Sequence, residues 1–134
     1  MPYPLPDFFV QIQVSTATQA TNQVAIIAPF DMEVEQVQAR FRVGSTSGTL
    51  DVVSAADGTA VSAGTSLLNS TVDISTTPPA DTLQTASMKT SIGSRFIPAK
   101  TAVGLKFAGT VTGLLDLDIT IYCRQKKENQ TPLR

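Results

Sequence analysis

At 134 residues, with 42% hydrophobic and 16% charged side chains, the chain is sized for one domain around a single core. Its net charge of −1 gives no electrostatic basis for binding nucleic acid or an anionic membrane. Histidine is absent, which removes serine–histidine and cysteine–histidine catalysis, histidine zinc sites and the commonest general base together.

The first six residues, Met-Pro-Tyr-Pro-Leu-Pro, alternate proline with other side chains. Proline fixes φ and removes an amide donor, so an extended, unpaired arm is expected over residues 1–9. The segment has neither a basic start nor an apolar run, so no secretory signal is expected. An arm carrying Tyr3, Leu5, Phe8 and Phe9 has little reason to float in water. It packs on its own domain or docks on a neighbour, and the residues leave both open.

Residues 8–14 alternate cleanly, with Phe8, Val10, Ile12 and Val14 on one face. A polar turn over 15–22 precedes a more continuously apolar strand at 23–28. The longest strand spans 32–43. Met32 and Val34 share one parity, whereas Val37, Ala39, Phe41 and Val43 share the other. A bulge near Glu35-Gln36 is therefore expected, because a simple one-residue slip exposes the whole apolar set. Arg40 and Arg42 then point outward.

The Gly-Ser-Thr-Ser-Gly run at 44–48 is a flexible connection to a strand at 49–55, and Asp57-Gly58 signals a tight turn. Short strands are expected at 65–69 and 71–75. The loop at 76–81 holds consecutive prolines, which cannot join a sheet interior. Residues 83–90 suit either a strand or a single helical turn. Phe96-Ile97 and residues 103–107 lead to the clearest strand, Leu-Asp-Leu-Asp-Ile-Thr-Ile-Tyr-Cys at 115–123, with one dry and one wet face. The fold class expected is all-β: an antiparallel, jelly-roll-like β-sandwich of about eight to ten short strands. The domain itself is expected over 10–123, with a polar tail at 124–134.

Chemistry is mostly exclusion. No glycine-rich phosphate loop is present, and the run at 44–48 lacks the following lysine. Cys123, the single cysteine, falls on a dry face and reads as a buried, inert thiol. Asp116 and Asp118 share a face about 6–7 Å apart. They suit calcium binding or a carboxylate pair, but a solvated strand face explains them without either. Asp51, Asp57 and Asp73 suit a calcium-binding loop tip, against ordinary turn and strand-edge roles. Tyr122, on the wet face, is the one candidate platform for stacking a sugar, against a packing or interface role. Arg124, Lys126 and Lys127 form a small basic cluster offset by Glu128. No catalytic, cofactor or metal residue is assigned.

The Ser/Thr/Gly/Ala-rich run Asp57-Gly-Thr-Ala-Val-Ser-Ala-Gly-Thr-Ser-Leu-Leu-Asn-Ser-Thr-Val-Asp-Ile-Ser75 resembles small β-sandwich virion proteins of tailed bacteriophages. The late turn Ile97-Pro-Ala-Lys-Thr-Ala-Val-Gly-Leu105 and the closing strand after Gly109 continue the likeness. It covers roughly residues 31–123, and it is one of style and element order. It implies a non-enzymatic capsid decoration or cement protein, without cofactors, assembled into virions in the host cytoplasm. Its partners are then the major capsid protein or other virion proteins, and a homo-oligomer, a trimer by preference, is implied. The arm and outward strand faces, with Tyr3, Leu5, Phe8, Phe9, Arg40, Arg42 and Tyr122, are the candidate interface. The same style occurs in fibres and adhesins, so a receptor- or glycan-binding sandwich is the alternative.

Overall fold

The period-two patterns become ten strands in the computed structural model, which describes residues 7–126. They are β1 (Asp7–Thr16), β2 (Gln23–Ile27), β3 (Met32–Val43), β4 (Thr49–Ala55), β5 (Thr65–Ser66), β6 (Val72–Asp73), β7 (Gln84–Thr85), β8 (Phe96–Ile97), β9 (Ala102–Ala108) and β10 (Leu115–Gln125). Short 3-10 turns occupy Ala17–Gln19, Val61–Ala63 and Ile92–Arg95.

Every ladder between these strands is antiparallel. One sheet runs β1-β10-β3, with β7 and β8 both on the far edge of β3; the other runs β2-β9-β4, with β5 and β6 both on β4. Counting each two-piece edge as one interrupted strand, the chain is a long folded hairpin. Its pairs β1:β10, β2:β9, β3:β7/β8 and β4:β5/β6 fall alternately in the two sheets. That is the strand order of a jelly roll.

The core lies where the dry faces meet. Leu117, Ile119, Ile121 and Cys123 of β10 are fully buried, opposite Leu50 and Val52 of β4 and Val103 and Leu105 of β9 in the second sheet. Each such side chain contributes about 1.5–3 kcal/mol through removal from water. Ser45 is a buried polar exception, and it is satisfied: its Oγ donates to the Ile74 carbonyl at 2.7 Å and accepts the Gly48 amide at 2.9 Å.

The expected bulge is present. Tyr122 pairs with Gln36 and Cys123 with Val34, leaving Glu35 as the extra residue of β3. Met32 and Val34 before it, and Val37, Ala39 and Phe41 after it, are therefore all buried.

Several boundaries differ from expectation. Phe8, expected both in the strand at 8–14 and in the arm, lies in β1 together with Phe9, and Asp7 before them pairs with and bonds Arg124. Arg124 and Gln125 belong to β10, since Glu33 and Met32 of β3 continue the ladder. Residues 83–90 contain a two-residue strand and no helical turn. The strands expected at 65–69 and 71–75 shrink to two residues each, held on β4. Residues 1–6 and 127–134, including Tyr3 and Leu5, lie outside the described residues.

Candidate functional site

The outer face of the β1-β10-β3 sheet collects most of the candidate residues. Alternation sends Phe9, Gln11 and Gln13 of β1 outward beside Tyr122, Thr120 and Asp118 of β10. These in turn lie beside Gln36, Gln38 and Arg40 of β3. The face is thus a set of parallel rows.

One row is aromatic. Phe9 and Tyr122 are neighbours with ring centroids 6.2 Å apart, inclined at 50°, and they are 61% and 37% exposed. They border a shallow hollow of about 140 Å³ that Asp7, Phe8, Glu35 and Cys123 complete. Phe8 has the opposite parity. It turns toward the core and meets Phe30 edge-on at 5.7 Å, so it does not join Phe9 on the outer face.

The middle rows carry amides and hydroxyls. The Tyr122 hydroxyl donates to Gln38 Oε1, and Gln38 Nε2 donates to Thr85 Oγ1, both at 3.4 Å. These long, exposed bonds leave most of the donor and acceptor capacity of the face to water.

Arg40 and Arg42 stand at the other end, with Arg40 about 13 Å along β3 from Gln36. Arg42 Nε donates to Asp116 Oδ2 at 2.7 Å, and Arg40 lies 3.9 Å from Asp81. With Asp118 and Phe41 these groups line a hollow of about 270 Å³. Two arginines interleaved with three aspartates nearly neutralise each other. Asp116 and Asp118 therefore sit among cations of their own chain. Asp51 accepts the Ser66 hydroxyl and Asp73 accepts the Ser75 amide, each a local contact.

A third charged group closes the sheet end where the described chain begins and ends. Glu33 meets Arg95 at 3.1 Å and Lys126 at 3.2 Å, while Arg124 meets Asp7 at 3.0 Å and Glu35 at 3.4 Å. The Asp7 hydrogen bond, then the charges of Glu35 and Asp7, raise the Arg124 guanidinium further above its ordinary value. Lys126 also donates its amide to the Asp31 carbonyl at 2.7 Å. Beneath this group Cys123 is buried, and burial, then the charge of Glu35, pushes its thiol up to about 11. That favours the protonated, unreactive form.

The structure thus separates the candidates into an aromatic end, with Phe9 and Tyr122, and an arginine end, with Arg40 and Arg42. Sequence reading overlooked the glutamines between them. Their spacing at 11, 13, 36 and 38 places them on wet faces, but only the strand register makes them one surface. No protein-family model matches this chain, and the search of curated proteins finds no match either.

Proposed function

We propose that this chain is a non-enzymatic virion structural protein of the capsid decoration type, which binds an assembled capsid and stabilises it. The observation that carries this reading is the meeting of the first and last described strands at one end of one jelly-roll sheet. Asp7 and Arg124 are directly opposed, and Lys126 is anchored to Asp31 close by. The first and last described strands thus meet at one end of one sheet, beside the exposed Phe9–Tyr122 pair, and gather one candidate contact surface there. The jelly-roll strand order, shared by capsid and lectin domains, agrees with it by analogy. A protein that binds only the assembled lattice shifts stability toward that lattice by mass action.

Because Arg40 and Arg42 are engaged by aspartates of their own chain, they are weaker candidates for an acidic partner than their exposed strand suggests. The apolar residues Tyr3 and Leu5 and the outer face supply the contact instead. The test is co-sedimentation of the full chain with assembled phage heads prepared without it. Saturable binding that raises the heat resistance of the heads is expected. Removing residues 1–6, which leaves β1 whole, should weaken it. Failure to co-sediment would end this reading.

A second reading rests on the exposed Phe9–Tyr122 pair beside Gln36, Gln38 and Thr120. Aromatic faces stack on the apolar faces of sugars, and amides bond their hydroxyls. Receptor or glycan binding predicts saturable binding on a glycan array that Tyr122→Ala abolishes.

A further inference from the structure

Residues 8–30 contain no aspartate, glutamate, lysine or arginine. The stretch comprises nearly all of β1, the turn after it and all of β2. These two strands are the edges of the two sheets, and they touch each other along one flank of the sandwich. The flank is also apolar. Val24 and Ile27 are 50% and 61% exposed, and Phe8, Val10 and Ile12, although on the dry face of β1, are only half-buried. Depletion of charge together with exposed apolar side chains marks the centre of a protein interface.

β1 is also an unguarded edge. Among the described residues no strand pairs with its free side. Within its ten residues it has no lysine and no proline, and its pairing with β10 is unbroken from Asp7 to Val14. Soluble proteins guard long edges with charges, prolines or bulges, because free backbone amides and carbonyls recruit another strand.

We propose that this flank is where a second copy of the chain docks, through antiparallel pairing of β1 with the partner's β1. The choice of occupant follows from edge lengths. A strand that satisfies β1 must be about as long and have a free side. Among the other sheet edges β2 has five residues, and β5 to β8 have two each. Only another β1 meets both conditions.

Two-fold symmetry then restricts the register. Paired residues must share parity, or the dry face of one copy continues into the wet face of the other. With Gln11 on the axis, Phe8 opposes the partner's Val14 and Val10 opposes the partner's Ile12. Asp7, the single charge of β1, opposes the partner's Ser15, so no like charges meet. The inference stands independently of the capsid reading, and it puts a two-fold pair in place of the trimer that the resemblance implies.

The test combines native mass with amide hydrogen exchange on the full chain over a concentration series. The expected wild-type result is a species of twice the 14.2 kDa chain mass with consecutive β1 amides protected. Gln11 is exposed, so Gln11→Lys leaves the core untouched while placing two cations on the axis. It should weaken the dimer by about tenfold or more and release alternate β1 amides. Thr71→Lys, an exposed position beside β6 on the opposite flank, should change neither. Three results would overturn the proposal: a monomer at every concentration, whether or not its β1 amides are protected; a dimer whose alternate β1 amides still exchange freely; or a dimer indifferent to Gln11→Lys.

Discussion

Arg42 donates its Nε to Asp116 at 2.7 Å across the β3–β10 pair, and the aspartate that accepts it holds φ at 53° inside a strand. A left-handed backbone costs a residue with a Cβ roughly 1–2 kcal/mol, and glycine essentially nothing. The usual ranking of substitutions in a strand should therefore reverse here. Asp116→Gly is expected to be more stable than Asp116→Ala by about 1 kcal/mol. Urea unfolding of the two variants checks this, and an alanine variant at least as stable as the glycine variant refutes it.

Gly104 lies in β9 beneath the Val61–Ala63 turn, and a Cβ built on it falls 2.7 Å from both Val61 methyls. Valine is stiff at χ1 and cannot swing away. Gly104→Ala should cost about 1–3 kcal/mol through overpacking. Adding Val61→Ala should recover a good part of that loss, and strictly additive effects in the double-mutant cycle contradict the contact.

Glu33 joins the end of β10 to the turn before β8 through Lys126 and Arg95, and its side chain is only 13% exposed. Arg95 Nε is buried and finds no hydrogen-bond partner among the described residues. Loss of the carboxylate leaves the guanidinium with fewer contacts still. Glu33→Ala should destabilise by about 1.5–3 kcal/mol. Arg124→Ala, at an exposed pair screened by water, should cost distinctly less. Comparable thermal shifts for the two variants would contradict this ordering.

The Cys123 thiol makes stability fall in alkali. Its pKa rises from 9.0 to about 11 on folding, so the unfolded chain ionises first. The associated stability is fully present below pH 9 and is lost as pH rises through about 11. A two-unit shift corresponds to about 2–3 kcal/mol. Cys123→Ala should flatten the slope of stability against pH in that window, whatever its effect at pH 7. Identical slopes would mean that the thiol titrates normally.

The long strands were legible because their information is local. Alternation alone places Ile119 and Asp118 on opposite faces, and the parity change in β3 locates the bulge at Glu35. The four short strands, β5 to β8, were harder, because two residues carry no period and exist only through pairing with β3 or β4. Phe8 is instructive in another way. Its parity put it with Val10, yet the expected arm grouped it with Phe9 as a surface contact. The pairings Arg42–Asp116 and Arg40–Asp81 join residues far apart in sequence, and no spacing rule reaches them. The charge-free stretch at 8–30 was in plain view, but only the strand order shows that it forms one flank.

The order of strands also governs when the protein can be made whole. β10 lies between β1 and β3, so neither has its main neighbour until residues 115–125 have been synthesised. Until β10 is made, the uncharged run Phe-Phe-Val-Gln-Ile-Gln-Val at 8–14 lacks its ladder partner, and such segments aggregate readily. Folding of this sheet therefore waits for β10, with closure dominated by contacts of high sequence separation and correspondingly slow. A ribosome that stalls before β10 releases a chain with its stickiest segment bare, which makes the last strand the gatekeeper of the first.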